Sequence, residues 1–313
     1  MSKHNYPLLI LKGCAMGAAD VVPGVSGGTI AFIAGIYEEL VDSIKSINLH
    51  ALKLLFTLKL KAFWQQINGS FLFSILLGIG ISIFSLAKLM TWLLEHYPIQ
   101  IWSFFFGLII ASTVLVAKEI QRWHAGTVIA LIIGAAVAYV ITILSPSETP
   151  NAWWFIILSG AIAICAMILP GISGAFILLL MGKYAYILGA VSALQFGILL
   201  LFAFGAVTGI VSFSHLLSWL LKKHHTATVA TLTGFMVGSL NKVWPWKETL
   251  ETYTDSHGAV HPLVEANISP AAFEQLTGTP SFLWQAILLC IFGFVLIFGL
   301  EYLGEKLNKQ TTA

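Results

Sequence analysis

The hydrophobic positions of this chain fall into long runs, and the pattern of those runs predicts membrane-spanning helices. Each run is about 17 to 25 residues long, close to the roughly 20 that a helix needs to cross a hydrocarbon core of about 30 Å. Strands of a membrane barrel would instead alternate apolar and polar residues at every second position. The continuous runs predict about six spanning helices, at 71–94, 99–117, 125–144, 196–221, 226–243 and 282–301.

Two further apolar stretches, 8–36 and 153–183, are interrupted near their middle. The interruptions are at Pro23 and Pro170, each followed by glycine, and they leave halves of about a dozen residues. A half of that length is too short to cross the membrane alone. Both stretches are therefore predicted to be re-entrant hairpins, which reach mid-membrane and return to the same side.

The two interrupted stretches repeat one another. DVVPGVSGGTIAFIAGIYEEL, at 20–40, and MILPGISGAFILLLMGKYAYI, at 167–187, align without gaps. Three predicted spans separate the hairpins, so the hairpins open towards opposite sides, an inverted arrangement typical of transporters that hold a site between broken helices. We predict an all-α polytopic membrane protein with one transmembrane domain over 1–313, made of repeats at about 8–144 and about 153–301.

The lysines fix the predicted orientation. They collect in segments that are cytoplasmic if the N-terminus is inside, as the positive-inside rule requires. Both termini are then cytoplasmic, and 245–281 is an external polar loop. Residues 38–67 combine apolar positions at helical spacing with four lysines, which favours an amphipathic helix on the cytoplasmic leaflet over a plain connector.

Composition agrees with this class. Hydrophobic residues make up 58% of the chain and charged residues 10%, with a mean hydropathy of +0.89, whereas about a quarter of the residues of a soluble domain are charged. The formal charge of +2 gives no indication of nucleic-acid binding. Cys14, Cys165 and Cys290 lie apart within apolar runs, so neither disulfides nor a metal site is predicted.

The residues around the two breaks predict a site for an anion. A new half-helix begins after each break, and its first amides lack intrahelical partners and carry the positive end of the helix dipole. Glycines let an anion approach the backbone, and Ser and Thr add hydroxyl donors. Arg122, the only arginine, suits phosphate but is equally explained as a topology determinant. The candidate phosphate-binding residues are Gly24, Ser26, Gly27, Gly28, Thr29, Gly171, Ser173, Gly174 and Arg122.

Ionisable residues near the hairpins are candidates for coupling transport to an ion, because buried charge in a membrane is costly and often functional. Asp20 precedes the first break and is a candidate proton or cation site, with a capping role as the alternative. Glu38 and Glu39 follow the first hairpin and Lys183 ends the second, although the two glutamates could equally be surface charges. No cofactor is predicted, and H⁺ or Na⁺ is the candidate coupling ion.

The motifs PGVSGGT and PGISGAF, with GIYEEL after the first, resemble the bacterial polyprenyl-phosphate translocase family. The resemblance implies a multi-pass inner-membrane protein that returns undecaprenyl phosphate from the outer to the inner leaflet for cell-envelope polymer synthesis. It implies polyprenyl phosphate and membrane lipids as partners, and no enzymatic step. The second motif departs from the first, with Ala175 and Phe176 in place of Gly28 and Thr29.

Two other functions compete with transport of a lipid. Undecaprenyl-pyrophosphate phosphatases also have inverted re-entrant repeats, with a motif resembling PGxSRS, but this chain has glycine where that arginine would be. An anion or ion channel would also suit broken helices. The sequence leaves the oligomeric state open.

Overall fold

A computed structural model describes residues 5–20, 26–147, 149–254 and 260–311. It confirms a predominantly helical polytopic membrane protein and adds a β-hairpin. The first half contains α1 (Tyr6–Asp20), α2 (Gly27–Ile33), α3 (Tyr37–Lys45), α4 (Leu49–Phe56), α5 (Leu60–Gln66), α6 (Gly69–His96), α7 (Pro98–Lys118) and α8 (Ala125–Ile143). The second contains α9 (Trp153–Ile168), α10 (Gly174–Leu180), α11 (Tyr184–Ser192), α12 (Phe196–Lys223), α13 (His225–Ser239), β1 (Lys247–Thr254), β2 (Val260–Asn267), α14 (Pro270–Thr277) and α15 (Leu283–Thr311).

Four of the six predicted spans are helices long and apolar enough to cross a membrane: α6, α7, α8 and α12. A fifth is counted if α10 and α11, which meet at a bend of 111°, form one broken span. Of the other two predicted spans, α15 is 29 residues long with its apolar part at Leu283–Gly299, and only α13 is shorter than expected. Helix α13 has 15 residues, about 22 Å at 1.5 Å per residue, because the chain leaves the helix at Ser239 and continues as turns.

Each interrupted stretch contains two helices separated by a break, α1 with α2 and α9 with α10. Both returning helices end in the same way. Gly35 and Gly182 have positive φ angles of 66° and 62°, where glycine is favoured. The next amides donate back to the helix, Ile36 N to Ala31 O at 3.0 Å and Lys183 N to Leu178 O at 2.8 Å. This Schellman geometry ends the helix and turns the chain into α3 or α11.

The two halves pack by the same rule. The first helix of each interrupted stretch packs along the first long helix of its own half, α1 on α6 and α9 on α12. The later helices of each half pack on helices of the other half, α7 on α15 and α13 on α8. Glycines allow the close approach, since a Cβ on Gly13 or Gly205 would collide with the backbone of Ile75 or Ile157 in the facing helix.

Two connecting segments differ from the prediction. The expected single amphipathic helix over 38–67 is three helices, because Asn48 caps a new helix at α4 and Leu58 adopts a positive φ of 56° before α5. The predicted external loop at 245–281 is ordered by β1 and β2, which pair antiparallel, and by α14.

Candidate functional site between the two helix breaks

The breaks of the two interrupted stretches contact each other in the interior. The Ser26 hydroxyl donates to the Met167 carbonyl at 2.9 Å, and the Gly171 amide donates to Thr29 Oγ1 at 3.0 Å. The Tyr37 hydroxyl donates to the carbonyl of Ile168, in the same segment as Met167, at 3.1 Å. The side chains of Ser26 and Thr29 are each 1% exposed. Residues 131 to 142 positions apart are thus joined at one buried point.

The first amides of α2 are already occupied by groups of the chain. Gly27 N donates to Asp20 Oδ1 at 2.6 Å, and Gly28 N donates to Ser26 Oγ at 3.1 Å. The Thr29 amide donates to the Ser26 carbonyl at 2.9 Å. The Asp20 carboxylate therefore lies where the sequence predicted an external anion. The structure shows the capping role for Asp20, because an acidic side chain at a helix N-terminus satisfies an unpaired amide.

The second break is built differently. Ser173 precedes α10 and is 6% exposed, without a side-chain cap bond to its helix. Met167 occupies the position in the second stretch that Asp20 occupies in the first. The Gly171 φ angle is 84°, and a Cβ there would approach Phe235 O and Ser239 Oγ of α13 to 2.9 Å. This break is consequently held against α13 rather than capped by its own carboxylate.

The predicted glycines serve close packing of the two breaks. A Cβ on Gly28 would collide with the Ile168 carbonyl, one on Gly174 with the Ala163 carbonyl, and one on Gly27 with Asp20. A side chain at Gly28 would push the two breaks apart, and one at Gly27 or Gly174 would push apart the two helices of its own hairpin. Gly24 lies outside the described residues.

The other predicted site residues lie at the ends of the molecule, not at the breaks. Glu38 Oε1 lies 3.1 Å from His225 Nε2. Glu39 Oε1 accepts a hydrogen bond from Asn68 Nδ2 at 2.9 Å. Arg122 is exposed in the loop after α7, where its carbonyl accepts from the Thr127 hydroxyl at 3.1 Å. Glu38 and Glu39 lie in the first turn of α3, and we call this side of the molecule the α3 end.

Lys183 lies at the opposite end. Its ammonium donates to the Thr149 carbonyl at 2.7 Å and to Asn151 Oδ1 at 2.8 Å, and its side chain is buried. These bonds tie the end of α10 to the connection between α8 and α9. The β-hairpin of β1 and β2 lies at this same end, which we call the β-hairpin end, since Asn241 Nδ2 before β1 donates to Thr142 Oγ1 of α8 at 2.8 Å.

Sequence reasoning missed a charged cluster at the β-hairpin end. Lys242 Nζ and Lys247 Nζ lie 3.0 and 3.3 Å from the same carboxylate oxygen, Glu265 Oε2. Burial lowers the pKa of Lys247 to about 8. Although burial alone raises the pKa of Glu265, the two ammonium groups hold it below its usual value. A lysine directly after an apolar helix was the available signal, but Glu265 is too distant in sequence to have been paired with it.

The fold and these contacts define a multi-pass α-helical membrane protein in which two broken helical hairpins meet inside the bundle. The chain belongs to the undecaprenyl phosphate translocase-like family, whose sequence profile matches residues 16–261. It is 51% identical over 302 residues to the polyprenyl-phosphate transporter of Vibrio cholerae serotype O1, covering 96% of this chain and 98% of that protein. It is 36% identical over 254 residues to the polyprenyl-phosphate transporter of Staphylococcus aureus, covering 75% of this chain and 85% of that protein. No solved structure matches the chain significantly.

Proposed function

We propose that this protein carries undecaprenyl phosphate from the outer to the inner leaflet of the bacterial cytoplasmic membrane. The observation that carries the proposal is the buried contact between the two breaks, where hydroxyls and amides of both halves meet through Ser26, Thr29 and Gly171. The related proteins in Vibrio cholerae and Staphylococcus aureus are named as polyprenyl-phosphate transporters, which supports the substrate class.

The contact between the breaks supports a site that opens to each side in turn. Moving a phosphate through a low-dielectric interior is expensive unless its oxygens keep hydrogen-bond partners. When the breaks part, the Ser26 hydroxyl loses the Met167 carbonyl, and Thr29 and the Gly171 amide lose each other. All three groups then become free to bind those oxygens. The polyprenyl tail remains in the lipid throughout, and the phosphate ester is not cleaved.

The packing of the two halves supports an inverted repeat. Corresponding helices have corresponding partners: α1 packs on α6 in the first half, and α9 packs on α12 in the second. The later helices pack on helices of the other half. This arrangement is expected when two repeats enclose one site and rock against each other. In this proposal the α3 end, with both chain termini, faces the cytoplasm. The β-hairpin end faces outwards, where the lipid is collected.

Asp20 supports a link between transport and protons. An arriving phosphate competes with the Asp20 carboxylate for the Gly27 amide, which the carboxylate now binds at 2.6 Å. Protonation of Asp20 weakens that bond and removes the repulsion between two anions. A proton entering from outside would therefore favour inward movement of the lipid.

The proposal is tested with purified protein in liposomes that carry undecaprenyl phosphate in one leaflet only. Appearance of the lipid in the other leaflet and release of inorganic phosphate are followed together. We expect protein-dependent movement without phosphate release. Release of phosphate would show that the protein hydrolyses the phosphate monoester. Absence of movement would contradict the proposed transport.

A further inference from the structure

The cluster of Lys242, Lys247 and Glu265 is unusual because its three charged side chains are largely buried. The exposed side-chain fractions are 18%, 9% and 22% respectively. Both ammonium groups are directed at one oxygen, Glu265 Oε2, so two cations share one anion. A partly desolvated excess of positive charge is unfavourable on its own and attracts an anion.

Aromatic rings form the floor beneath both ammonium groups. Lys242 Nζ lies 4.7 Å from the ring centre of Phe176, in the returning helix of the second hairpin, and Lys247 Nζ lies 4.9 Å from that of Trp102 in α7. The Lys247 ammonium also donates to the Lys242 carbonyl at 2.6 Å. The cluster is therefore fixed in position beside the hairpin that contributes to the proposed transport site.

An apolar groove begins beside this cluster. It has a volume of about 570 Å³ and lies between α8 and α13, with Leu131, Ala135 and Val237 among its walls. Helix α8 exposes many apolar side chains along its length, Ile132 at 57% and Tyr139 at 49% among those that line the groove. The groove thus opens onto a face that contacts lipid, and its size suits part of a long apolar chain.

The groove and the cluster are connected through the backbone. Asn241 and Asn267 line the groove. Asn241 directly precedes Lys242, and Asn267 is the antiparallel partner of Lys247 across the β-hairpin. The two asparagines bond to each other, Asn267 Nδ2 to Asn241 Oδ1 at 2.9 Å. The two asparagines therefore form a polar rim at one end of the apolar groove, and the two lysines lie next to that rim.

We infer that the groove and the Lys242–Glu265–Lys247 cluster together form a docking site for polyprenyl phosphate at the β-hairpin end, separate from the helix breaks. The phosphate lies at the two lysines and the first part of the prenyl chain lies in the groove. A phosphate monoester carries close to two negative charges at neutral pH, which matches two ammonium groups better than the single charge of a phospholipid diester does. The inference rests on the proposed function for the identity of the lipid.

Equilibrium binding of undecaprenyl phosphate to the full-length protein in detergent tests the cluster. Lys242→Gln and Lys247→Gln should each weaken binding by about ten-fold or more, the size of a lost charged hydrogen bond. Glu265→Gln should tighten binding by about three-fold or more, because it removes the competing anion. Lys223→Gln, an exposed lysine at the α3 end, is the matched control and should bind like the parent.

Undecaprenol, the neutral alcohol, has the same prenyl chain but no phosphate, so it measures the contribution of the groove without that of the cluster. Its binding should be unaffected by the lysine variants. Ala136→Phe fills the groove from α8 and should weaken binding of both lipids, whereas Val137→Phe, equally exposed on α8 but outside the groove, should change neither. If the lysine variants do not fold, Glu265→Gln and the Ala136→Phe pair still decide the question.

Three results would overturn the site: parent-like binding of the phosphate by both lysine variants, weakening by Glu265→Gln, or equal binding of phosphatidylglycerol. Transport is measured in the same preparations. A parent protein that binds as described but does not move the lipid contradicts the proposed function and leaves the site standing. Lysine variants that bind and transport like an active parent overturn the site and leave the function standing.

Discussion

Asp20 shows how one residue can fill the place of a ligand. The α2 amide that was expected to face an anion is bound by this carboxylate at 2.6 Å. A phosphate that reaches the first break must therefore displace an internal anion or find it protonated. This gives Asp20 both a structural task and, in the proposed mechanism, a coupling task, which two substitutions can separate.

We predict that Asp20→Asn folds and binds undecaprenyl phosphate, because the amide oxygen can still accept from Gly27 N, but that it loses the dependence of transport on a pH gradient. Asp20→Ala leaves the Gly27 amide without this partner and should lower stability by about 0.5 to 2 kcal/mol. Thermal unfolding and liposome transport with and without a gradient measure both effects. A gradient response like that of the parent in Asp20→Asn would remove Asp20 as the coupling residue.

A second prediction at this scale concerns Lys247. Its pKa is lowered by burial to about 8, so it loses its proton as the pH rises through that value, while a phosphate monoester is already fully ionised. Glu265, Lys242 and the Trp102 ring are the groups that face it. Affinity for undecaprenyl phosphate should fall between pH 7 and pH 9 (about one pH unit either side of 8).

Lys247→Arg supplies the control for that titration, because guanidinium keeps its charge throughout this range. The fall in affinity above pH 8 should disappear in this variant. An equal fall in the parent and in Lys247→Arg would mean that another group titrates.

The proposed transport site depends on the two interrupted hairpins. Their existence and approximate bounds were predictable, since a Pro-Gly pair in an apolar run leaves halves too short to span. What the sequence could not supply was the partners at the breaks. The Ser26 and Thr29 hydroxyls face Met167 and Gly171 across the molecule, and contacts over such a separation follow from how whole helices pack.

We predict that Thr29→Val destabilises the contact between the hairpins, because valine keeps the shape but leaves the buried Gly171 amide unsatisfied. The cost should be about 1 to 3 kcal/mol, measured by thermal unfolding in detergent. Thr29→Ser should retain most of the stability. Thr208→Val, which removes a hydroxyl bonded to its own helix at Phe204, is the control, and an equal loss there would contradict a special role for Thr29.

At the scale of the whole molecule, the charged groups at the two ends were only partly predictable. The lysine pattern indicated which segments share a side, and the structure places Glu38 near His225 and Lys183 near Thr149 at opposite ends. The sequence could not show that Lys242 and Lys247 would share Glu265, because the strand pairing that brings them together is specified by tertiary packing. The single helix expected over 38–67 failed for a local reason, the Asn48 cap.

The orientation predicts which loops an impermeant thiol reagent reaches from outside the cell. In a background without the native cysteines, cysteines at Ser145 and Thr279 should be labelled from outside, and one at His224 only after the membrane is opened. All three positions are exposed. Labelling of Ser145 and His224 from the same side would contradict the inverted arrangement.

The central claim is that the meeting point of the two breaks is the path of the phosphate, and Gly28→Ala tests it most directly. A Cβ there collides with the Ile168 carbonyl across the contact, whereas a Cβ on Gly80 in α6 meets nothing within 4 Å. Movement of undecaprenyl phosphate between the leaflets of liposomes is measured for both variants, with folding checked by thermal unfolding. The account predicts that folded Gly28→Ala loses most of its transport while Gly80→Ala moves the lipid like the parent. Transport at the parent rate by folded Gly28→Ala would contradict it.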